Sequence, residues 1–416
     1  MAPLQFASRI SKPSSMPSGG SGRGPKISLG GIGGVLHAVN IPLLLCVLAL
    51  LALGLVTLYA VTLTDKDYSI TKQCLSIGIG VVACAVVWAV DYRRLGTGNA
   101  AVLGLLALDV FVILLPMTPL GFESNGARSW IAIGPLTLQP SEIGKPITIV
   151  MMALFVSRFG GSINSGKDFL KCVGLLLVPA VLLAAEDLGT GLVILVIGFV
   201  IIFVGGANMR WILVTVMVCV VGVAGLLMAN YAVSSWTGGE TQLIKEYQMS
   251  RLLVFVDPDN PDYANDAYNL NQAKIAIGSG EITGKGWGNA TQSNGGFLPE
   301  SATDFIFCVW AEQFGFAGSA LLLLLYLALL GSALWIGLSA GSQEGSLIVA
   351  GVMGMWLFQI IENIGMDIGL MPITGIPLPF MSYGGSFMIA NFICIGLLMN
   401  VWSRRDAAAA KAAGGM

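Results

Sequence analysis

Ten apolar runs, each long enough to form a helix, divide the chain at polar punctuation. They fall near residues 41–63, 70–90, 99–117, 141–158, 169–184, 188–205, 211–230, 304–338, 345–370 and 384–403. A bilayer core takes about 20 apolar residues to cross as a helix. Backbone polar groups in lipid must be satisfied within the segment, so runs of this kind predict spanning helices rather than strands. The pattern lapses over residues 231–303, between the seventh and eighth runs, and that stretch reads as one large loop. Trp287, Tyr263, Tyr268 and Phe297 give the loop packing anchors. Within it, Ala273, Ile275, Ala276 and Ile277 end at a glycine, which predicts a short amphipathic helix on the membrane surface. The run 304–338 is longer than a bilayer needs and predicts an outward extension or a kink near Gly315 to Gly318. Residues 363–386 hold Pro372, Pro377 and Pro379 among five glycines, so no helix continues through them. A broken segment at membrane depth is tolerated where it lines a cavity.

Composition agrees with this reading. Of 416 residues, 55% are hydrophobic and only 11% charged, which excludes a soluble globular chain. The expected fold is an all-α polytopic membrane protein of about ten spans. Most of the 21 basic residues, among them Arg93, Arg94, Arg158, Lys167, Arg210, Arg404 and Arg405, gather on one side if residue 1 is cytoplasmic. The positive-inside bias then puts both termini in the cytoplasm and the loop 231–303 outside. Residues 1–34, rich in Ser, Gly and Pro, read as a disordered cytoplasmic tail; 35–403 form the membrane domain and 404–416 a second cytoplasmic tail. The first apolar run lacks a small-residue cleavage site and reads as an anchor.

Residue usage excludes several chemistries. Seven scattered cysteines without CxxC spacing give neither a disulfide framework nor a zinc site. His37 is the single histidine and lies on the tail side, so a Ser-His-Asp hydrolase is excluded. No P-loop motif occurs. Proton chemistry falls to carboxylates, lysine or tyrosine. The stretch FLPESATDFIFCVWAEQFGF places Glu300 and Asp304 just before a spanning run and Glu312 two turns into it. Intramembrane acids are expensive. Glu300 suits either direct function or a helix-start acid, and Glu312 reads as a buried, hydrogen-bonded structural acid. The outer loop 125–145 brings up Arg128, with Glu142 and Lys145 at i, i+3 on a helix that begins at Pro140. Glu186 and Asp187 occupy a tight turn between two spans, and Lys285 lies in the large loop. Gln359, Glu362, Asn363 and Asp367 make a polar stripe, read either as a cavity lining or as helix–helix hydrogen bonding. The outer charges carry both signs, which suits a polar substrate held on a lipid, with cations for its phosphate and a carboxylate for its proton.

Five ordered segments sharpen this reading: GARSWIAIGPLTLQPSEIGK, EDLGTGLVI, IAIGSG followed by GKGWGNATQ, FLPESATDFIF with AEQFGF, and NIGMDIGLMPITGIPLPFMSYGGS. Together they resemble the signature motifs of the SEDS family, the shape, elongation, division and sporulation proteins, over about residues 40–403. The NIGM and IPLPF wording is more similar to the rod-shape RodA type than to the FtsW division type. The resemblance implies a peptidoglycan glycosyltransferase that polymerises lipid II on the outer face of the bacterial cytoplasmic membrane during elongation. Its implied partner is a class B penicillin-binding protein, with no nucleic acid involved. It implies catalytic roles for Asp304 as general base, Lys145 as its basic partner and Glu142. Substrate contacts are expected from Arg128, Glu300, Lys285, Glu186 and Ser382. No cofactor is certain, and a divalent cation is left open. The chain departs from the family pattern at Ala302, Ala290 and Ser129, so neither a motif histidine nor a paired-arginine phosphate clamp is expected. A lipid II flippase and a non-catalytic scaffold for a cell-wall synthase stand as alternatives. The absence of a convincing internal repeat weighs against the transporter.

Overall fold

The computed structural model describes residues 38–124, 127–133, 136–184, 187–237, 249, 254–255 and 264–406. The predicted tail 1–34, residues 407–416 of the second tail, Glu186, Tyr263 and His37 lie outside the described residues. Ten long helices appear where the apolar runs stand: α1 Ile41–Thr64, α2 Ile70–Ala89, α3 Asn99–Leu114, α4 Pro140–Val156, α5 Gly166–Ala184, α6 Leu188–Val204, α7 Met209–Thr237, α10 Ile306–Leu338, α11 Gln343–Asp367 and α12 Gly385–Ser403. Between α7 and α10 lie α8 (Ala264–Ser279) and the single turn α9 (Thr291–Asn294). Six of the ten, α1 to α3 and α10 to α12, are long and apolar enough to cross a membrane, and α6 and α7 carry shorter apolar stretches. The chain is a multi-pass membrane protein.

Helix placement follows from burial. In its apolar stretch α12 is 83% buried and α11 67%, against 17% for α2. α4 is enclosed along almost its whole length, so it, α11 and α12 form the centre and α2 faces outward. Polar side chains cross-link that centre. Trp356 donates to Asn391 Oδ1 at 2.7 Å, and the Asn391 amide donates to the Phe387 carbonyl one turn back.

Three features differ from the sequence expectation or sharpen it. A small antiparallel sheet, β1 Gly121–Ser124, β2 Ala127–Ile133 and β3 Leu136–Leu138, stands before α4, where the sequence suggested only a loop. The amphipathic helix forms as α8, but its buried stripe of Ala267, Leu270, Ala273 and Ala276 packs on α10. Ile275, expected on the apolar face, is 49% exposed. α8 is therefore docked on the bundle through this stripe.

The third feature is the kink expected in the longest run. α10 breaks at Gly315, whose φ of 65° and ψ of −162° no L side chain adopts comfortably. Residues 281–286 run into the break and supply the hydrogen bonds that it costs the helix. The N–H groups of Lys285 and Gly286 donate to the carbonyls of Glu312 and Gln313, both at 3.0 Å. Those of Phe316 and Ala317 donate to Glu281 and Ile282 at 2.8 and 3.0 Å. Contact is so close that a Cβ at Gly280 would sit 2.1 Å from the Ala311 carbonyl oxygen.

Candidate active site

A cleft of about 420 Å³ opens at one end of the bundle, where four helices begin. Proline at the first position starts α4, and Glu142 sits in its first turn, as the sequence predicted. The broken segment after α11 supplies one wall through Thr374 to Pro377, and α12 starts from Gly384 and Gly385 beside it. Asp187 begins α6 and spends its carboxylate as a cap, accepting from Gly189 N at 3.0 Å and Thr190 Oγ1 at 2.6 Å. By contrast α4, α10 and α12 have no capping side chain. Their first N–H groups and aligned peptide dipoles give the cleft a standing preference for anions.

Lys145 and Glu142 face each other across 2.6 Å, with 2% and 5% of their side chains exposed. Among the described residues, Glu142 Oε2 has no hydrogen-bond partner. The Lys145 ammonium also lies 5.9 Å over the Phe387 ring at the start of α12. Asp304 lines the same cleft, two residues before α10 begins, in a turn rather than on the helix. Its own carbonyl accepts from Asn363 Nδ2 at 2.7 Å.

Glu300 also lines the cleft, but not as a helix-start acid. It adopts φ 52°, a left-handed conformation uncommon for a residue with a Cβ. Its carbonyl accepts from the N–H groups of Thr303 and Phe305, and its carboxylate accepts from Thr303 Oγ1 at 3.0 Å and Tyr68 OH at 3.3 Å. Burial, and then the charge of Glu300, push the Tyr68 phenol above its ordinary range. Burial raises Tyr383 as well. Both phenols are therefore neutral donors at neutral pH.

The structure thus gathers Glu142, Lys145, Glu300 and Asp304 in one cleft. Two expected substrate contacts fall elsewhere. Lys285 is drawn 2.6 Å from the fully buried Glu312, which also accepts from Thr291 N and Oγ1 at 2.9 Å each. Glu312 is the buried structural acid that the sequence suggested, and Lys285 is its counter-ion. Ser382 is fully buried; its hydroxyl donates to the Thr303 carbonyl at 2.7 Å and accepts from Leu378 N at 2.8 Å. Arg128 lies on β2 beside the lining residues Ser129 and Trp130, its side chain outside the described residues, as is Glu186.

Sequence reasoning missed Gln139, Thr190, Thr303, Thr374 and Tyr383 in the lining. All lie within two or three residues of a recognised motif residue, and that adjacency was the available signal. Of the polar stripe on α11, Asn363 reaches the site, while Glu362 accepts from Thr374 behind the wall. Among the described residues no group of three or more His, Cys, Asp or Glu is arranged to hold a metal ion.

With this geometry in hand, comparison with known proteins is informative. The family model FTSW_RODA_SPOVE, described as a cell cycle protein, matches residues 41–407. The chain is 33% identical over 369 residues to the peptidoglycan glycosyltransferase MrdB of Escherichia coli K12, covering 87% of this chain and 93% of that one. It is 32% identical to stage V sporulation protein E of Bacillus subtilis, covering 86% and 95%. Among solved structures, a chain of a peptidoglycan synthase complex that coordinates polymerization and crosslinking superposes with a TM-score of 0.68 at 30% identity, covering 87% and 97%. The rod shape determining protein RodA of Thermus thermophilus superposes with a TM-score of 0.61 at 29% identity, covering 87% and 96%.

Proposed function

The chain belongs to the FtsW/RodA/SpoVE family of cell cycle proteins, and from that premise we propose that it is a peptidoglycan glycosyltransferase that polymerises lipid II, with Asp304 as general base. One observation carries the reading: Asp304 and a buried Lys145–Glu142 pair line one cleft at the uncapped starts of α4, α10 and α12. The reaction joins the 4-hydroxyl of one sugar to the anomeric carbon of another and expels polyprenyl pyrophosphate. A hydroxyl is a weak nucleophile, and a positioned base is worth about 10²–10⁴-fold. Asp304 takes the hydroxyl proton as the new C–O bond forms. The leaving pyrophosphate needs positive charge rather than an acid, and Lys145 with the helix N-termini supplies it. Glu142 holds the ammonium in place. Inversion at the anomeric centre needs one carboxylate, not a nucleophile and acid pair.

The finer assignments belong to the same proposal. The wording of the NIGM and IPLPF motifs favours the rod-elongation type, and likeness to a chain of a synthase complex supports a class B penicillin-binding partner. The basic residues favour cytoplasmic termini, with the cleft on the outer leaflet. A cysteine in place of Gly288 should react with a membrane-impermeant thiol reagent in intact cells, and one in place of Arg405 should not; the reverse would invert the orientation.

The decisive experiment incubates purified protein with lipid II, with and without the partner. Asp304→Asn keeps size but cannot take a proton, and should fold, insert and polymerise nothing. Retention of more than about a tenth of wild-type rate would exclude general-base catalysis by Asp304.

A further inference from the structure

Three consecutive peptide carbonyls, those of Ala302, Thr303 and Asp304, each accept a hydrogen bond from elsewhere in the chain. Tyr383 N donates to Ala302 O at 2.8 Å, Ser382 Oγ to Thr303 O at 2.7 Å and Asn363 Nδ2 to Asp304 O at 2.7 Å. The Asn363 nitrogen also donates to Ile376 O at 2.9 Å, in the wall of the cleft. An amide nitrogen carries two hydrogens, one for each carbonyl, and neither aspartate nor alanine can make that bridge. Asn363 and Ser382 are fully buried and do not line the cleft, so neither is placed to touch substrate. Each ties the 303–304 backbone to the broken segment: Asn363 bridges Asp304 O and Ile376 O, and Ser382 Oγ donates to Thr303 O while it accepts from Leu378 N.

We infer that Asn363 and Ser382 are positioning residues for Asp304, fixing the peptide of the base against the broken segment 376–383. Asp304 itself lies in a turn, outside the regular hydrogen bonding of α10. Without the two side chains its carbonyl and that of Thr303 would lose the partners that tie them to α11 and to the far wall. The carboxylate would then be free to shift relative to Lys145 and Glu142, which ride on a different helix. A displacement of about 1 Å at a reacting centre costs on the order of 10²-fold in rate. This inference rests on the polymerase reading, because the carboxylate being positioned is the proposed base.

The test uses the full-length protein with lipid II and its partner, and follows kcat, KM and the thermal midpoint in detergent. Ser382→Ala should lower kcat about 10- to 100-fold at near-constant KM, by more than the drop in midpoint from stranding Leu378 N accounts for, and Ser382→Thr, which keeps the hydroxyl, should recover most of the loss. Asn363→Asp preserves shape but removes both donors, and should lower kcat at least as far. Asp304→Asn is assayed beside them. Normal kcat in Ser382→Ala and Asn363→Asp, with Asp304→Asn inactive, overturns the positioning role and leaves the polymerase reading intact. Loss of rate only in proportion to loss of folded protein, or no recovery in Ser382→Thr, overturns it equally. Activity surviving in Asp304→Asn overturns the base assignment, and the positioning role with it.

Discussion

Glu142–Lys145 and Glu312–Lys285 are both ion pairs of 2.6 Å with a buried carboxylate, and their surroundings separate them. Glu312 Oε1 collects Lys285, Thr291 through N and Oγ1, Gln292 N at 3.2 Å and Ser279 Oγ at 3.4 Å. Glu142 has Lys145 on one oxygen and, among the described residues, no hydrogen-bond partner on the other. Lys285 keeps 27% of its side chain exposed, so water also solvates its ammonium, whereas Lys145 keeps 2% and its ammonium sits between Glu142 and the cleft. A buried acid whose acceptor capacity is used up holds structure together. One left half used beside a cavity is available for chemistry. On the proposed function, the same pair of residue types therefore does opposite work in the two places.

Neutralising each pair should pull them apart in the assay. The largest effect belongs to Lys145→Met, which should lower polymerisation by about 10²–10³-fold, the usual loss when one electrostatic stabiliser is removed. Adding Glu142→Gln should restore any stability lost to the orphaned carboxylate without restoring rate. Recovery of rate in that double variant would mean that the cleft pair is structural after all. Next comes Glu312→Ala, which strands the N–H groups of Thr291 and Gln292 and should cost roughly 3 kcal/mol, read as a lowered thermal midpoint. Rate per folded molecule should change little, and a selective loss of kcat at full stability would move Glu312 into the chemistry. Smallest is Lys285→Met. Glu312 retains its other donors there, so about 1–2 kcal/mol is expected, with KM within twofold. A tenfold rise in KM at normal stability would return Lys285 to the substrate.

Much of this was legible in the chain. Helix ends fall within a few residues of the apolar runs because hydropathy governs membrane spans more strongly than propensity does. Glu142, Lys145 and Asp304, singled out in the sequence by the family motifs, do line one cleft. The errors share a cause. Lys285 was assigned to substrate because its partner Glu312 lies 27 residues away, and a one-dimensional reading offers no way to see the loop fold back. Ser382 was chosen for its hydroxyl, but sequence gives the group and not its direction. Glu300 was read either as a functional group or as a helix-start acid, yet α10 starts only at Ile306 and Glu300 stands in the preceding turn. The sheet at 121–138 was overlooked because three strands this short carry too little alternation to stand out.

The break at Gly315 bears finally on how this protein can drift in sequence. Surface loops ordinarily absorb substitutions freely. Here the loop residues 280–286 are laid into an opened helix, and a Cβ at Gly284 would come within 2.1 Å of the Gln313 carbonyl oxygen. A Cβ at Gly315 would lie 2.3 Å from the Gly284 nitrogen. Gly278, two residues before the insertion starts, has nothing within 4 Å of the same construction. The boundary between permissive and forbidden sequence therefore falls where α8 ends and the inserted loop begins. Gly280 and Gly284 in the loop and Gly315 in α10 are thus held to glycine by one shared seam.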